Sequence, residues 1–226
     1  MTVLMVSGVL SPKGAASMKT ALDAEPWRDG KVTAGRIARQ VKYNEQADLS
    51  GPSGKDLRDQ LHKAITGHVV VKAAARPKRL STIMVSKTAH GGYYGRHVDN
   101  ALMGEGAARL RTDLSFTLFL TPPDDYKGGE LIIHSSMGEQ RIKGDAGDMV
   151  LYPSSDIHEV TPVTEGERVV AVGWIESVIA DGRERALLFD LENLRVSLRE
   201  VLPTNSVELL TLDKTIANLL RMWAKP

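Results

Sequence analysis

No cysteine occurs anywhere in the 226 residues. Disulfides, zinc thiolates, iron–sulfur clusters and thiol catalysis are thereby excluded, and any metal has to be held by His, Asp or Glu. The absence also fits a reducing compartment. A charge excess is missing too: Lys+Arg is 29 against Asp+Glu 28, for a formal net charge of +1. That balance gives no general pull toward nucleic acid or an anionic membrane. No apolar run approaches the ~20 residues of a membrane span. The first six residues are apolar but short and lack a basic leader, so they do not read as a signal peptide. There is no internal repeat and no low-complexity tract. What is present is an ordinary globular composition, 42% hydrophobic and 25% charged, able to bury a full core. We expect a soluble cytoplasmic protein with one large domain, or one domain and a small appendage.

Along the chain, Val3 to Leu10 reads as a short strand. Ser11 caps a helix with Pro12 in its first turn, running from Gly14 to Leu22. Glu25 to Gly30 reads as a loop and turn. Arg36 to Tyr43 is basic, a strand or a loop; its two readings are a substrate-facing basic edge and, by residue statistics the more common, a solvated face. Ser53 to Ile65 carries Leu57, Leu61, Ala64 and Ile65 at helical spacing, with Gly67 as the stop. Val69 to Ala75 and Leu80 to Ser86 are apolar, β-branched runs that read as strands. A glycine-containing bend from His90 to Gly95 follows. The segments Leu114–Leu120, Glu130–His134, Glu139–Lys143, Met149–Tyr152, Ile157–Val160 and Arg168–Ile175 then read as strands. Turns at Ser136-Met137-Gly138, Gly144–Asp148 and Thr164–Glu167 punctuate them. Short strands at this spacing indicate an antiparallel barrel or jelly roll. Near Asp181 the pattern changes. Arg185 to Leu202 and Ser206 to Met222 are amphipathic helices separated by Pro203. They form a C-terminal helical hairpin that packs on the barrel or on a second subunit.

The chemistry gathers in four polar residues. His97 and Asp99 are two apart, and on a strand such residues share a face. A second histidine from a distant strand completes a two-His, one-carboxylate set, which leaves one face of an octahedral metal open, as in mononuclear Fe(II) oxygenases. Zinc is the competitor, though catalytic zinc more often takes a tetrahedral set. A His-X-Asp alone is a weak signal. His158 is the candidate third ligand because Arg168 follows ten residues later, beyond a turn at Glu165-Gly166-Glu167. The two can then fall on neighbouring antiparallel strands. A dicarboxylate could chelate the metal at one end and meet the planar fork of Arg168 at the other. His62, His68, His90 and His134 read as surface, turn, loop and strand-end residues.

Several stretches carry a family likeness: Tyr94-Gly95-Arg96-His97-Val98-Asp99-Asn100-Ala101, Arg111 to Leu120, Tyr126-Lys127-Gly128-Gly129-Glu130-Leu131, Ala146-Gly147-Asp148 through Leu151-Tyr152-Pro153-Ser154-Ser155, and His158 to Thr164. Together they resemble the PKHD-type hydroxylases, of the prolyl 4-hydroxylase-like branch of the Fe(II)/2-oxoglutarate dioxygenases. The likeness extends to Trp27-Arg28-Asp29-Gly30 and Thr33-Ala34-Gly35, and to Arg185–Leu194 and Asn218–Trp223 in the tail. The resemblance implies a fold that is mainly β with flanking helices: a double-stranded β-helix, or jelly roll, over residues 1–178 with N-terminal helices, and a helical extension over 179–226. It implies Fe(II) on His97, Asp99 and His158, and 2-oxoglutarate on Arg168, with Phe119 and Leu131 lining the cosubstrate cavity. Tyr94 and Asn100 flank the ligands, meeting substrate or orienting the ligands. The implied reaction uses O2 to convert 2-oxoglutarate to succinate and CO2 while a substrate C–H bond is hydroxylated, with ascorbate as an accessory. The presence of Asp99 favours hydroxylation over halogenation. One departure is that the family usually has a Tyr nine or ten residues before the first ligand; here Thr88 and Lys87 stand there.

The substrate implied is a prolyl or other protein residue, a peptide, or a small metabolite, with no nucleic acid or membrane partner and with a homodimer as one arrangement. Two other readings stay open on the residues alone: a non-enzymatic jelly-roll module that binds a ligand or metal, and a zinc hydrolase using the same three side chains.

Overall fold

A computed structural model describes residues 3–33, 38–135 and 138–225. The chain opens with β1 (Leu4–Val6) and α1 (Pro12–Asp23), then β2 (Trp27–Asp29), β3 (Lys42–Tyr43) and β4 (Glu45–Ala47). Two helices follow, α2 (Pro52–Gly67) and α3 (Val69–Ala75), and then β5 (Pro77–Leu80), β6 (Met84–Ala89) and β7 (Tyr93–His97). A small hairpin of β8 (Leu102–Met103) and β9 (Leu110–Arg111) leads to β10 (Leu114–Phe119). The rest of the sheet structure is β11 (Tyr126–Gly128), β12 (Leu131–Ser135), β13 (Gly138–Ile142), β14 (Met149–Pro153), β15 (Ile157–Val160) and β16 (Val163–Ser177). Helices α4 (Gly182–Arg199) and α5 (Val207–Trp223) end it.

The strands form two main antiparallel sheets. The larger runs β1-β14-β10-β16-β6-β4-β2, with β5 and β11 also paired to β16; the smaller runs β13-β12-β15-β7-β3. They face one another as a jelly roll. Phe119, Val150, Tyr152 and Val170 of the first sheet pack against Leu131 and Ile133 of the second. Behind the larger sheet, α1 and α2 seal a second core. Met18 and Leu22 of α1 and Leu57, Leu61 and Ile65 of α2 recur at helical spacing and are buried there with Phe116, Leu118 and Ala171. Ser11 caps α1 as expected, its Oγ accepting from Gly14 N at 3.0 Å.

Several expectations change. Val69–Ala75 is a helix, not a strand. Val71, Ala74 and Ala75 are buried at three- and four-residue spacing while Val69 is 74% exposed, so one packed face outweighs the β-preference of the valines. Trp27–Asp29 is a strand, because Glu45–Ala47 supplies its ladder. The strand expected over Leu80–Ser86 is split into β5 and β6, and β6 runs on to Ala89. Finally, β16 begins at Val163, so Thr164–Glu167 lies within it. Gly166 sits there with φ +71°, where an added Cβ would lie 2.1 Å from Asp125 O, so only glycine fits. The strand expected over Val3–Leu10 is shorter, Leu4–Val6, and Tyr93–Gly95, expected as part of a bend, belong to β7 because Lys42–Tyr43 and β15 pair with them. The strands expected between Leu114 and Val160 fall within a residue or two of where the pattern places them. Arg36 and the turn residues Ser136 and Met137 lie outside the described residues, as do Ala34 and Gly35.

The C-terminal hairpin packs within the chain. Ile179, Leu188 and Ile216 form its own core, with Leu191, Leu219 and Trp223 around them. Asp181 and Ser206 cap its helices, and Arg76 at the end of α3 pairs with Glu192 of α4 at 3.0 Å. No helix among the described residues is long and apolar enough to cross a membrane.

Candidate metal centre and cosubstrate pocket

The polar pattern of β10 explains where the site lies. Leu114, Phe116 and Leu118 point to the helix-backed core, while Ser115 and Thr117 line a cavity between the two sheets. That cavity has a volume of about 590 Å³. His97 ends β7, and His158 stands directly opposite it on β15. Asp99 lies two residues past His97 but outside the strand, which stops at His97; the shared-strand expectation is corrected. Ligand atoms of His97, Asp99 and His158 nonetheless all lie within 4.8 Å of one another. The two imidazole centroids are 4.2 Å apart.

Both rings are oriented in the same way. His97 Nδ1 donates to Gly95 O at 2.8 Å, and His158 Nδ1 donates to Asp156 O at 2.9 Å. A carbonyl only accepts, so each Nδ1 carries the proton and each Nε2 lone pair is left for a metal. Asp99 Oδ2 accepts from Ser115 Oγ at 2.6 Å, and Ser115 Oγ meets Ser154 Oγ at 2.8 Å. Burial first, and then the neighbouring His158, pull the His97 pKa down to about 4. His97 is therefore neutral at pH 7, the form that binds metal. Tyr94 stacks on the His97 ring at 3.7 Å between centroids.

Arg168 lines the same cavity from β16 of the opposite sheet. The expectation that His158 and Arg168 sit on paired neighbouring strands is corrected: β15 pairs with β12 and β7, whereas β16 pairs with β10, β6, β5 and β11. The chain crosses between sheets at Thr161-Pro162. Arg168 is only 2% exposed, and its Nε and Nη2 have no hydrogen-bond partner. Burial lowers its pKa from the usual value, which Tyr126 and Tyr152 oppose. A buried guanidinium with unmet donors is costly to leave so. A carboxylate would relieve it through a forked pair. The residues present thus fit both groups, a divalent metal on two imidazoles and a carboxylate, and a dicarboxylate reaching the guanidinium.

The other expected positions divide. Leu131, Tyr94 and Asn100 line the cavity. Phe119 does not; it lies behind the wall, with its ring centroid 5.8 Å from Arg168 Cζ. Of the pair standing where the family has Tyr, Thr88 faces the cavity opposite Arg168. Lys87 turns away to Glu45 and the Trp27 ring. His134 pairs with Glu159 at 3.0 Å, and Glu130 pairs with Arg141 at 3.0 Å, both outside the cavity. The sequence reading missed Ser115 and Ser154. Two polar residues at alternate positions in the apolar run Leu114–Leu120 were the available signal for Ser115. Of the two readings of the basic segment ending at Tyr43, the solvated face is corrected at Lys42, which is 4% exposed and part of the cavity wall.

Comparison with known proteins agrees with this geometry. Residues 83–176 match the 2OG-Fe(II) oxygenase superfamily, and residues 181–225 match the PKHD-type hydroxylase C-terminal domain. A PKHD-type hydroxylase of Hyphomonas neptunium is 49% identical over 98% of this chain and 99% of its own length. Among solved structures, a Pseudomonas putida prolyl-4-hydroxylase superposes with TM-score 0.53 at 21% identity, covering 77% of this chain and 92% of that one. A Trichoplax adhaerens prolyl hydroxylase in complex with a hypoxia inducible factor peptide fragment gives TM-score 0.53 at 16% identity, over 82% and 86%. These two likenesses establish the jelly-roll fold. The chain belongs to the PKHD-type hydroxylases of the 2OG-Fe(II) oxygenase superfamily, and is thus a dioxygenase that works with Fe(II) and 2-oxoglutarate.

Proposed function

We propose that His97 Nε2, Asp99 and His158 Nε2 hold the iron, and that Arg168 takes the distal carboxylate of 2-oxoglutarate. The observation that carries this is one cavity holding both the three convergent ligand atoms and a buried guanidinium with unmet donors. When bound, the iron and cosubstrate supply the oxidative decarboxylation of 2-oxoglutarate by O2, coupled to hydroxylation of a substrate C–H bond. The protein's own part is orientation and exclusion of water. The Gly95 and Asp156 carbonyls keep both Nε2 atoms aimed at the ion. Ser115 holds one Asp99 oxygen, and the Ser154 hydroxyl supports Ser115. Leu131, Val160 and Val170 form an apolar wall near Arg168, where a charge pair is stronger than in water.

The substrate in this reading is a residue of a protein or peptide, prolyl among the candidates; the peptide held by the Trichoplax neighbour supports it. The protein acts in the cytoplasm, with ascorbate keeping the iron ferrous. Residues 1–178 form the oxygenase unit and 179–226 its helical extension. The test is Fe(II)-dependent conversion of 2-oxoglutarate to succinate by the purified protein. Turnover that requires Fe(II) is expected; zinc-supported hydrolysis without succinate would overturn the assignment.

A further inference from the structure

The stretch Tyr126-Lys127-Gly128-Gly129 is not part of the cavity wall, yet it lies against Arg168. Tyr126 stands in register with Gly166 of β16, two residues before Arg168. Gly129 has φ +68°, and a Cβ there would come 2.9 Å from Tyr126 Cε2 and 3.0 Å from Arg168 Cδ. The phenol ring and the arginine stem therefore close on the space that any other side chain would fill. Lys143 pins the tyrosine from its own strand side. Its Nζ donates to the Tyr126 carbonyl at 2.7 Å and sits 4.1 Å from the ring centroid. Tyr126 is thus fixed in place and buried, beside the guanidinium but out of the cavity.

The Tyr126 hydroxyl is buried without a hydrogen-bond partner, as are Nε and Nη2 of Arg168. A buried phenol hydroxyl ordinarily has a partner, and one without calls for a reason. Here the unmet groups are complementary: two donors on Arg168 and an oxygen on Tyr126 that can accept. Burial raises the Tyr126 pKa, and the neighbouring guanidinium opposes that rise. The phenol therefore stays protonated at neutral pH, a neutral acceptor beside a cation. A guanidinium carries five N–H groups, and a forked carboxylate takes only two of them. The donors left over in a dry wall need an acceptor of their own.

We propose that Tyr126 is a positioning residue for the cosubstrate: when a dicarboxylate occupies the cavity, the Tyr126 hydroxyl oxygen accepts from Arg168 and fixes the plane in which the guanidinium meets the distal carboxylate. This rests on the oxygenase reading, in which Arg168 takes that carboxylate. Because the hydroxyl has no partner in the ligand-free site, it serves binding and not the fold. It acts through Arg168, so its effect is confined to ligands that carry a distal carboxylate.

The test compares two ligands on the Ni(II)-loaded protein by ligand-observed NMR. One is 2-oxoglutarate; the other is 2-oxobutyrate, which carries the same 2-oxo acid group without a distal carboxylate. Tyr126→Phe keeps the ring and removes only the hydroxyl. It should weaken 2-oxoglutarate about tenfold and 2-oxobutyrate less than about twofold, since one buried donor to a charged pair loses its acceptor. Thermal melts without ligand should show Tyr126→Phe at least as stable as the wild type, because no hydrogen bond is lost there. Unchanged 2-oxoglutarate affinity, an equal loss for both ligands, or a lower ligand-free melting temperature overturns the proposal. The last two outcomes would mean that the hydroxyl already supports the fold. If the wild-type Ni(II) protein fails to prefer 2-oxoglutarate over 2-oxobutyrate, it is the assignment of Arg168 in the oxygenase reading that falls.

Discussion

The two ends of the cavity are built on opposite terms. At the His97–His158 end, both Nδ1 atoms and one Asp99 oxygen are already tied down by Gly95, Asp156 and Ser115. That end is held without a ligand, by the Gly95 carbonyl within β7, the Asp156 carbonyl just before β15, and the Ser115 hydroxyl. At the Arg168 end, two guanidinium nitrogens are buried with nothing to donate to. That end is incomplete until an anion arrives. On the proposed assignment, the contrast is between a preorganised metal centre and a cosubstrate site whose affinity comes from relieving a desolvated charge.

The largest way to break this comparison is at the metal end. His97→Ala or His158→Ala should lower succinate release at least about a hundredfold, since even residues supporting a ligand are worth 10–100-fold; retained turnover in either variant would remove that histidine from the ligand set. Next comes the other end. Arg168→Met should raise the KM for 2-oxoglutarate about a hundredfold, the loss of a charge-assisted pair. If the guanidinium is truly unmet, the same variant without ligand should melt higher, by about 1–2 kcal/mol of stability. A lower melting temperature would mean that Arg168 is satisfied in the empty site, and the contrast would fail. Ser115→Ala should weaken Co(II) or Fe(II) binding about tenfold while leaving the 2-oxoglutarate requirement little changed, read by titration and by the Co(II) absorption spectrum. Ser154→Ala acts one hydrogen bond further out and should cost only about threefold in metal affinity, near the ~0.5–1.5 kcal/mol of a single net hydrogen bond.

The four side chains that the fold brings to one cavity could be picked out before any fold was known. His97, Asp99, His158 and Arg168 are distinctive side chains, and an absent cysteine leaves few other metal ligands. Strand positions after Leu114 were also legible, because glycine and proline mark the turns of short strands. Other features were not. The run Val69–Ala75 is seven residues, too short for periodicity to separate a buried helix from a strand. Lys42 looks like any surface lysine until β3 is paired to β7. Gly166 looks like a turn glycine, whereas in the fold it lets β16 pass close to Asp125 without ending.

Taken alone, the order of residues determined which functional groups exist: two imidazoles, a carboxylate and a guanidinium, with no thiol to compete. It also determined that short antiparallel strands would carry most of them, since side-chain chemistry and turn preference are local properties. Only the folded chain decided that His158 and Arg168 face each other from different sheets, that Ser115 steadies Asp99, and that Lys42 is shut inside. Those outcomes depend on register and burial between segments dozens of residues apart, where hydrogen-bond ladders and core packing across the whole jelly roll choose among alternatives that look equal along the chain.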